Sequence, residues 1–271
     1  MNLLFTVNKD YVEHMTDCIH SILRFPTDGG YDIYILHSDL QEEDRKAAAK
    51  QVEGEKAVLH FQYVDGELFS GLLESSRYPR LVYYRVFAAL LLPEELDRIL
   101  YLDADTLVIN PLDELYQKEF HENYFMACTH VRKVLNKLNQ YRLGMEEETS
   151  YINSGVLLMN LELLRKVQSM DEVIAYAENR KQYLLLPDQD VITALYGNRT
   201  EILDTMRYNL SDRMLVVYNS NPNNKQKLDL DWVRKNTVII HYYGKQKPWK
   251  KPYFGSLDTF YRELKEELKR E

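Results

Sequence analysis

A chain of 271 residues with 45% hydrophobic side chains is long enough for one substantial α/β domain, and no apolar run approaches the roughly 20 residues that a membrane-spanning helix needs. Its formal net charge of −8 argues against a general nucleic-acid binder, which presents a basic surface, but allows a polyanionic ligand held through a metal. Two cysteines, Cys18 and Cys128, share no short metal-binding spacing and cannot make a disulfide framework, so a reducing, cytoplasmic setting is expected.

The N-terminus, MNLLFTVNKDY, lacks a basic stretch ahead of its short apolar run, and it reads as a first strand over 3–7. Tyr11, Met15, Cys18, Ile19, Ile22 and Leu23 then mark one face of a helix, with Asp10 and Glu13 spaced as a cap. A second strand is expected over 31–38, a polar-faced helix over 40–52 and a third strand over 57–64. A helix around 83–92 and a strand over 98–102 complete the first half. Strands alternating with helices imply a mostly parallel sheet covered on both faces. Further on, strands are expected over 123–130, 152–160 and 236–244, with helices from 161 to about 180 and from about 188. The tail places Phe260, Leu264 and Leu268 at four-residue spacing, the mark of a helix with one apolar stripe. Without repeats or a clear linker, residues 1–271 read as one domain: a donor-binding half over about 1–110, a sugar and acceptor half over about 111–250, and a helical tail over 251–271.

Asp103 and Asp105 follow the apolar run RILYL. In extended chain, residues two apart point to one side, so both carboxylates can face one ion. Ligands of parallel α/β sheets bind at the carboxyl ends of strands, which is where this pair falls. Hard carboxylate oxygens suit Mg²⁺ or Mn²⁺, although two solvated aspartates at a strand end would look the same. His241 closes the run TVII and is followed by Gly244 and Lys247; added to the two aspartates, its softer imidazole favours Mn²⁺. Glycine lets backbone approach a ligand, and lysine can neutralise a phosphate as a point charge. Asp188-Gln189-Asp190 opens a helix after Pro187, where acidic residues also suit the helix dipole without any catalysis. Asn153-Ser154-Gly155 is either a bend into a strand or a source of amides for sugar hydroxyls. Lys245, Lys247, Lys250 and Lys251 form the one basic concentration, interleaved with Trp249; peripheral contact with the inner face of a membrane is the most it suggests.

Together, Asp103-Ala104-Asp105, the stretch from Tyr151 to Asn160, Asp188-Gln189-Asp190 and His241-x-x-Gly244-x-x-Lys247-Pro248-Trp249 resemble glycosyltransferase family 8, which includes bacterial lipopolysaccharide galactosyl- and glucosyltransferases and glycogenin. The resemblance covers nearly the whole chain. It implies a GT-A fold, a UDP-sugar donor (UDP-glucose or UDP-galactose), Mn²⁺ with Mg²⁺ as the alternative, and a retaining hexosyltransferase acting on a glycan or lipid-linked saccharide acceptor. Carried over by position, Asp103, Asp105 and His241 would be metal ligands. Thr6, Asn8, Asp10, Tyr11, Ala104, Gly244 and Lys247 would bind the nucleotide, with Tyr11 stacked on the base. Arg85, Asn153, Ser154, Asp188 and Gln189 would line the donor-sugar pocket, the last two nearest the chemistry. Some galactosyltransferases carry an aspartate where this chain has His130, which leaves glucose against galactose open. Acceptor contacts are expected on residues 131–150 and 210–233. A non-catalytic carbohydrate-binding protein of the same fold and a glycogenin-like self-glucosylating protein are the competing readings.

Overall fold

The computed structural model describes residues 1–74, 79–131 and 133–270. Seven strands, β1 (Asn2–Thr6), β2 (Tyr31–His37), β3 (Ala57–Tyr63), β4 (Arg98–Leu102), β6 (Phe125–Ala127), β7 (Val156–Asn160) and β8 (Thr200–Ile202), form one sheet in the order β3-β2-β1-β4-β7-β6-β8. A short ribbon, β5 (Thr106–Val108) with β9 (Ile239–His241), stands beside it. From β3 to β4 the sheet is parallel; β7 runs against both β4 and β6, and β8 is parallel to β6. The helices of seven residues or more among the described residues are α1 (Val12–Leu23), α2 (Glu42–Gln51), α3 (Lys133–Leu143), α4 (Leu161–Val167), α5 (Met170–Asn179), α6 (Pro187–Tyr196), α7 (Asp212–Ser220), α8 (Leu230–Asn236) and α9 (Asp258–Glu267). None is long and apolar enough to cross a membrane.

The central strands are buried on both faces, so successive residues enter opposite cores. Leu4, Ile99, Tyr101, Leu157 and Met159 pack into one, while Leu3, Phe5, Leu100, Leu102, Val156 and Leu158 pack into the other. A third cluster joins Leu107 and Ile240 of the ribbon to Leu215, Val233, Phe260 and Leu264, so the tail helix docks by the stripe its sequence shows. Tyr261 and Lys265 of α9 also bond the buried Asp17 of α1, at 2.5 and 2.7 Å.

Four sequence expectations are corrected. Helix α1 starts at Val12 after a single 3₁₀ turn over Lys9–Tyr11, and no side chain caps it, so Asp10 and Glu13 do not form a cap there. The helix expected over 83–92 is a 3₁₀ turn, Arg80–Tyr83, and one α-turn, Ala88–Leu91. Tyr83, Tyr84, Val86 and Phe87 are all buried, so no single face can point outward as a surface helix requires. The helix expected from 161 to 180 breaks between α4 and α5. Gln168 turns its amide inward to the Val86 carbonyl at 2.8 Å, and Ser169 caps α5. The strands expected over 123–130, 152–160 and 236–244 are each shorter, the second because Asn153 and Ser154 turn to bond Gln189 and Asp188 before β7 begins.

Residues 131–150 and 210–233, where acceptor contacts are expected, carry α3, α7 and most of α8; Arg132 lies outside the described residues. Up to Tyr141, helix α3 is inside out, and of its described residues only Leu143, at its end, enters the core. Asn136 and Gln140 donate inward to the Thr149 carbonyl at 2.9 and 3.0 Å, while Val134, Leu138 and Tyr141 face solvent.

Candidate active site

The site lies where the strand order reverses, at the carboxyl ends of neighbouring β1 and β4. Past Leu102 the chain turns sharply. The Asp103 N–H donates to the Gly155 carbonyl at 2.8 Å, and the Asp103 carbonyl accepts from the Thr106 N–H at 3.0 Å. The antiparallel register of β5 with β9 sets Thr106 opposite His241, and the Tyr242 N–H donates to the Asp105 carbonyl at 3.0 Å. Strand pairing, rather than sequence proximity, brings the imidazole to the two aspartates.

His241 Nε2 is 3.1 Å from Asp105 Oδ1 and 3.6 Å from Asp103 Oδ2. Its Nδ1 lies 2.9 Å from Asn209 Oδ1. An amide oxygen only accepts, so Nδ1 carries the proton and Nε2 turns a lone pair toward the carboxylates. Both Nε2 and Asp105 Oδ1 are buried without a hydrogen-bond partner. Buried acceptors facing one another are costly unless a cation lies between them. One ligand atom from each of Asp103, Asp105 and His241 lies within 4.8 Å of the others, so the three could hold a metal ion. Two carboxylate oxygens and one imidazole nitrogen suit Mn²⁺ or, less well, Mg²⁺. Burial pushes the Asp105 carboxyl upward, but His241, whenever its imidazole is protonated, and the Lys247 ammonium outweigh it and hold it well below the usual range.

Gly155 is the wall behind this cluster. A Cβ there would lie 2.2 Å from His241 Cε1 and 2.6 Å from Asp103 Oδ2. Gly155→Ala must therefore push a carboxylate or the imidazole out of line. Misplacement by about 1 Å can cost about 10²-fold. Turnover is expected to fall by at least that factor, with the fold retained by circular dichroism; turnover near wild type would show that the wall can yield.

Arg85 anchors the opposite side. Its Nη1 donates to Asp103 Oδ1 at 2.6 Å and to the Ser154 carbonyl at 3.2 Å, and its Nε is 3.4 Å from Asp188 Oδ2. Its guanidinium stacks over the Tyr101 ring, 4.5 Å from the centroid. Burial works against its charge, but Asp103, Tyr101 and Asp188 raise its pKa overall. The Tyr101 hydroxyl donates to Asp103 Oδ1 at 2.6 Å and meets Thr6 Oγ1 at 3.2 Å. Tyr101 was absent from the sequence-derived site. The one signal for it was its position two residues before Asp103, on the same strand face.

Ser154 Oγ donates to Asp188 Oδ2 at 2.9 Å, and burial raises the Asp188 pKa against the pull of Arg85. Gln189 Oε1 accepts from Asn153 Nδ2 and from the Ser154 N–H, both at 3.2 Å. Asp190 belongs elsewhere. It is fully buried, accepts both Arg142 Nη groups at 2.7 and 2.8 Å and the Tyr151 hydroxyl at 2.5 Å, and receives the Leu185 and Leu186 N–H groups. Its ties are those of a clasp between α3 and the start of α6.

Lys247 is turned inward and pairs with Asp105 and with the Tyr242 carbonyl. Gly244 has φ +93°, a left-handed conformation that a side chain would strain. Trp249 stacks on His14 at 3.7 Å and Tyr11 meets His14 edge-on, so Tyr11 is linked to the Lys247 segment. Asn8 Oδ1 is buried without a partner, Asp10 is exposed, and Ala104 forms the buried turn between the aspartates. Of the basic run only Lys245, Lys250 and Lys251 face solvent. His130 stacks on Tyr243 at 4.8 Å, and burial, with His241 adding to it, pushes its pKa down to about 4.

A mostly parallel sheet with a carboxylate–imidazole cluster at its strand ends is the framework of a GT-A glycosyltransferase. Two structures with that fold are similar over 98% of this chain and 96% of theirs: an active-site mutant of LgtC (TM-score 0.84, 23% identity) and the galactosyltransferase LgtC in complex with donor and acceptor sugar analogues (TM-score 0.81, 22% identity). The model for glycosyl transferase family 8 matches residues 2–252, and the chain belongs to that family. Among curated relatives, a lipopolysaccharide 1,2-glucosyltransferase of Escherichia coli is 24% identical over 92% of this chain and 73% of its own length. General stress protein A of Bacillus subtilis is 22% identical over 93% of this chain and 90% of its own.

Proposed function

We propose that this member of family 8 is a retaining hexosyltransferase that moves glucose or galactose from a UDP-sugar to a saccharide acceptor, glycan or lipid-linked, using Mn²⁺ held by Asp103, Asp105 and His241. The observation that carries this reading is the pair of buried, unpartnered acceptors, His241 Nε2 and Asp105 Oδ1, aimed at one point. When bound, the ion would act as a Lewis acid on the diphosphate leaving group. Lys247, already at that point, would shift from Asp105 to a phosphate oxygen and spread the leaving charge further. Thr6, Asn8, Asp10, Tyr11, Ala104 and Gly244 would hold the nucleotide. Asn8 Oδ1 brings a buried acceptor without a partner, which a base N–H could satisfy.

In the sugar pocket, Arg85 would lie between the phosphate side and the donor sugar, and Asp188 would accept sugar hydroxyls. Asn153 and Ser154 mainly brace Gln189 and Asp188. Gln189 has its carbonyl committed to two donors and an amide is a poor nucleophile, so attack by the acceptor on the face that UDP leaves is preferred to a covalent intermediate. A sugar trapped on Asp188 would reverse that preference. A lipopolysaccharide-type acceptor is suggested by the relatives' names. A cytoplasmic setting, with at most peripheral membrane contact, fits it.

UDP release from a panel of UDP-sugars tests the reading. Turnover is expected with UDP-glucose or UDP-galactose in Mn²⁺, falling to background with chelator and returning with added Mn²⁺. Chelator-insensitive turnover would defeat the metal assignment. Binding of UDP-sugars without turnover, with or without saccharide acceptors, would favour a non-catalytic binder.

A further inference from the structure

Asn209 is fully buried, in the turn between the helical turn Thr205–Tyr208 and α7. No feature of the sequence draws attention to it, yet each of its side-chain groups is spent on the site. Oδ1 accepts from His241 Nδ1 at 2.9 Å, and Nδ2 donates to Asn153 Oδ1 at 2.9 Å. Its backbone carbonyl accepts from His130 Nε2 at 3.0 Å. Asn153 passes the connection on, because its Nδ2 donates to Gln189 Oε1 at 3.2 Å. One line of hydrogen bonds thus runs from His241 through Asn209 and Asn153 to the first turn of α6.

We infer that Asn209 is a positioning residue that fixes the His241 tautomer for cation binding and couples the cation site to the donor-sugar pocket. This rests on the metal reading above. Only an acceptor opposite Nδ1 forces the proton there and leaves Nε2 free to ligate. Without it the imidazole could place its proton on Nε2, where the carboxylates of Asp103 and Asp105 would accept it and the cation would have to displace it. Partners that orient a ligating histidine typically account for about 10–100-fold in metal affinity. The donating half of the amide has a separate task, since it holds Asn153 and through it the orientation of Gln189.

The two halves can be separated. Asn209→Ala removes both, while Asn209→Asp keeps the acceptor for His241 and loses the donor to Asn153. Mn²⁺ affinity is measured without donor, from the electron paramagnetic resonance signal of free Mn²⁺, on variants shown to be folded by circular dichroism. Asn209→Ala is expected to bind Mn²⁺ about 10–100-fold more weakly. Asn209→Asp is expected to bind at least as tightly as wild type but to show a raised donor KM, with the change in KM exceeding that in kcat. Wild-type Mn²⁺ affinity in folded Asn209→Ala would overturn the inference alone. If Asn209→Ala does not fold, Asn209→Asp decides: retained affinity supports the inference and a tenfold loss overturns it. If the wild-type chain takes up no Mn²⁺, the metal reading fails and takes this inference with it.

Discussion

Asp105→Ala is expected to reduce UDP-sugar turnover by at least ~10³-fold while the chain stays folded, because a cation that stabilises a leaving diphosphate contributes several kcal/mol. Three features converge on this carboxylate. Oδ1 has no hydrogen-bond partner, Oδ2 is paired with Lys247, and Nε2 of His241 lies 3.1 Å away. Removing it leaves the buried Lys247 bonded to the Tyr242 carbonyl but without its counter-ion, so a lower melting temperature is expected alongside the loss of cation binding. Asp105→Asn provides the control, since it keeps the shape but removes the charge. The readouts are kcat, Mn²⁺ affinity and the melting temperature. Activity or Mn²⁺ affinity within tenfold of wild type in a folded variant would remove Asp105 from the ligand set.

What could be read from the residues, and what could not, follows from how far apart the interacting groups lie. Strands β1 to β4 were legible to within a residue or so; β1 and β4, buried on both faces, are written as continuous apolar runs, and β2 and the partly exposed edge strand β3 are bounded by polar segments. The segment around Tyr83 and Phe87 misled for the same reason: buried on all sides, it carries no period that separates helix from 3₁₀ turns. Helix α3 was missed because Val134, Leu135, Leu138 and Tyr141 face solvent while Asn136 and Gln140 bond inward, the reverse of the pattern that marks a helix, and of its described residues only Leu143, at its end, enters the core. In the site, Asp103, Asp105 and His241 were legible as types at strand ends, and the β5–β9 register unites them. Tyr101, Gly155 and Asn209 were not, because a hydroxyl bridge, a missing Cβ and a tautomer lock leave no local signature. Gly155 and Asn209 take their roles from residues distant in the chain, and Tyr101 takes its role from a hydroxyl contact with Asp103 and from Arg85 stacked on its ring.

Asp190 shows how such distance decides between two readings that the sequence left level. An acidic residue in the first turn of α6 could serve the helix start or the chemistry. Its carboxylate is fully buried and fork-paired with Arg142, with Tyr151 and two backbone N–H groups completing its shell. Every lone pair is spent on holding α3 and the 185–186 segment against α6. Removing one partner of a buried pair leaves the other charge uncompensated, which costs about 3–5 kcal/mol. Asp190→Ala should therefore lower the melting temperature by on the order of 10 °C. Asp190→Asn, which keeps one oxygen for either Tyr151 or the backbone N–H groups, should lose less. Because α6 also carries Asp188 and Gln189 of the proposed donor-sugar pocket, donor KM should rise along with the loss of stability. A variant that melts within about 1 °C of wild type yet has lost turnover would place Asp190 in the reaction instead, since a clasp cannot be removed without loosening what it holds.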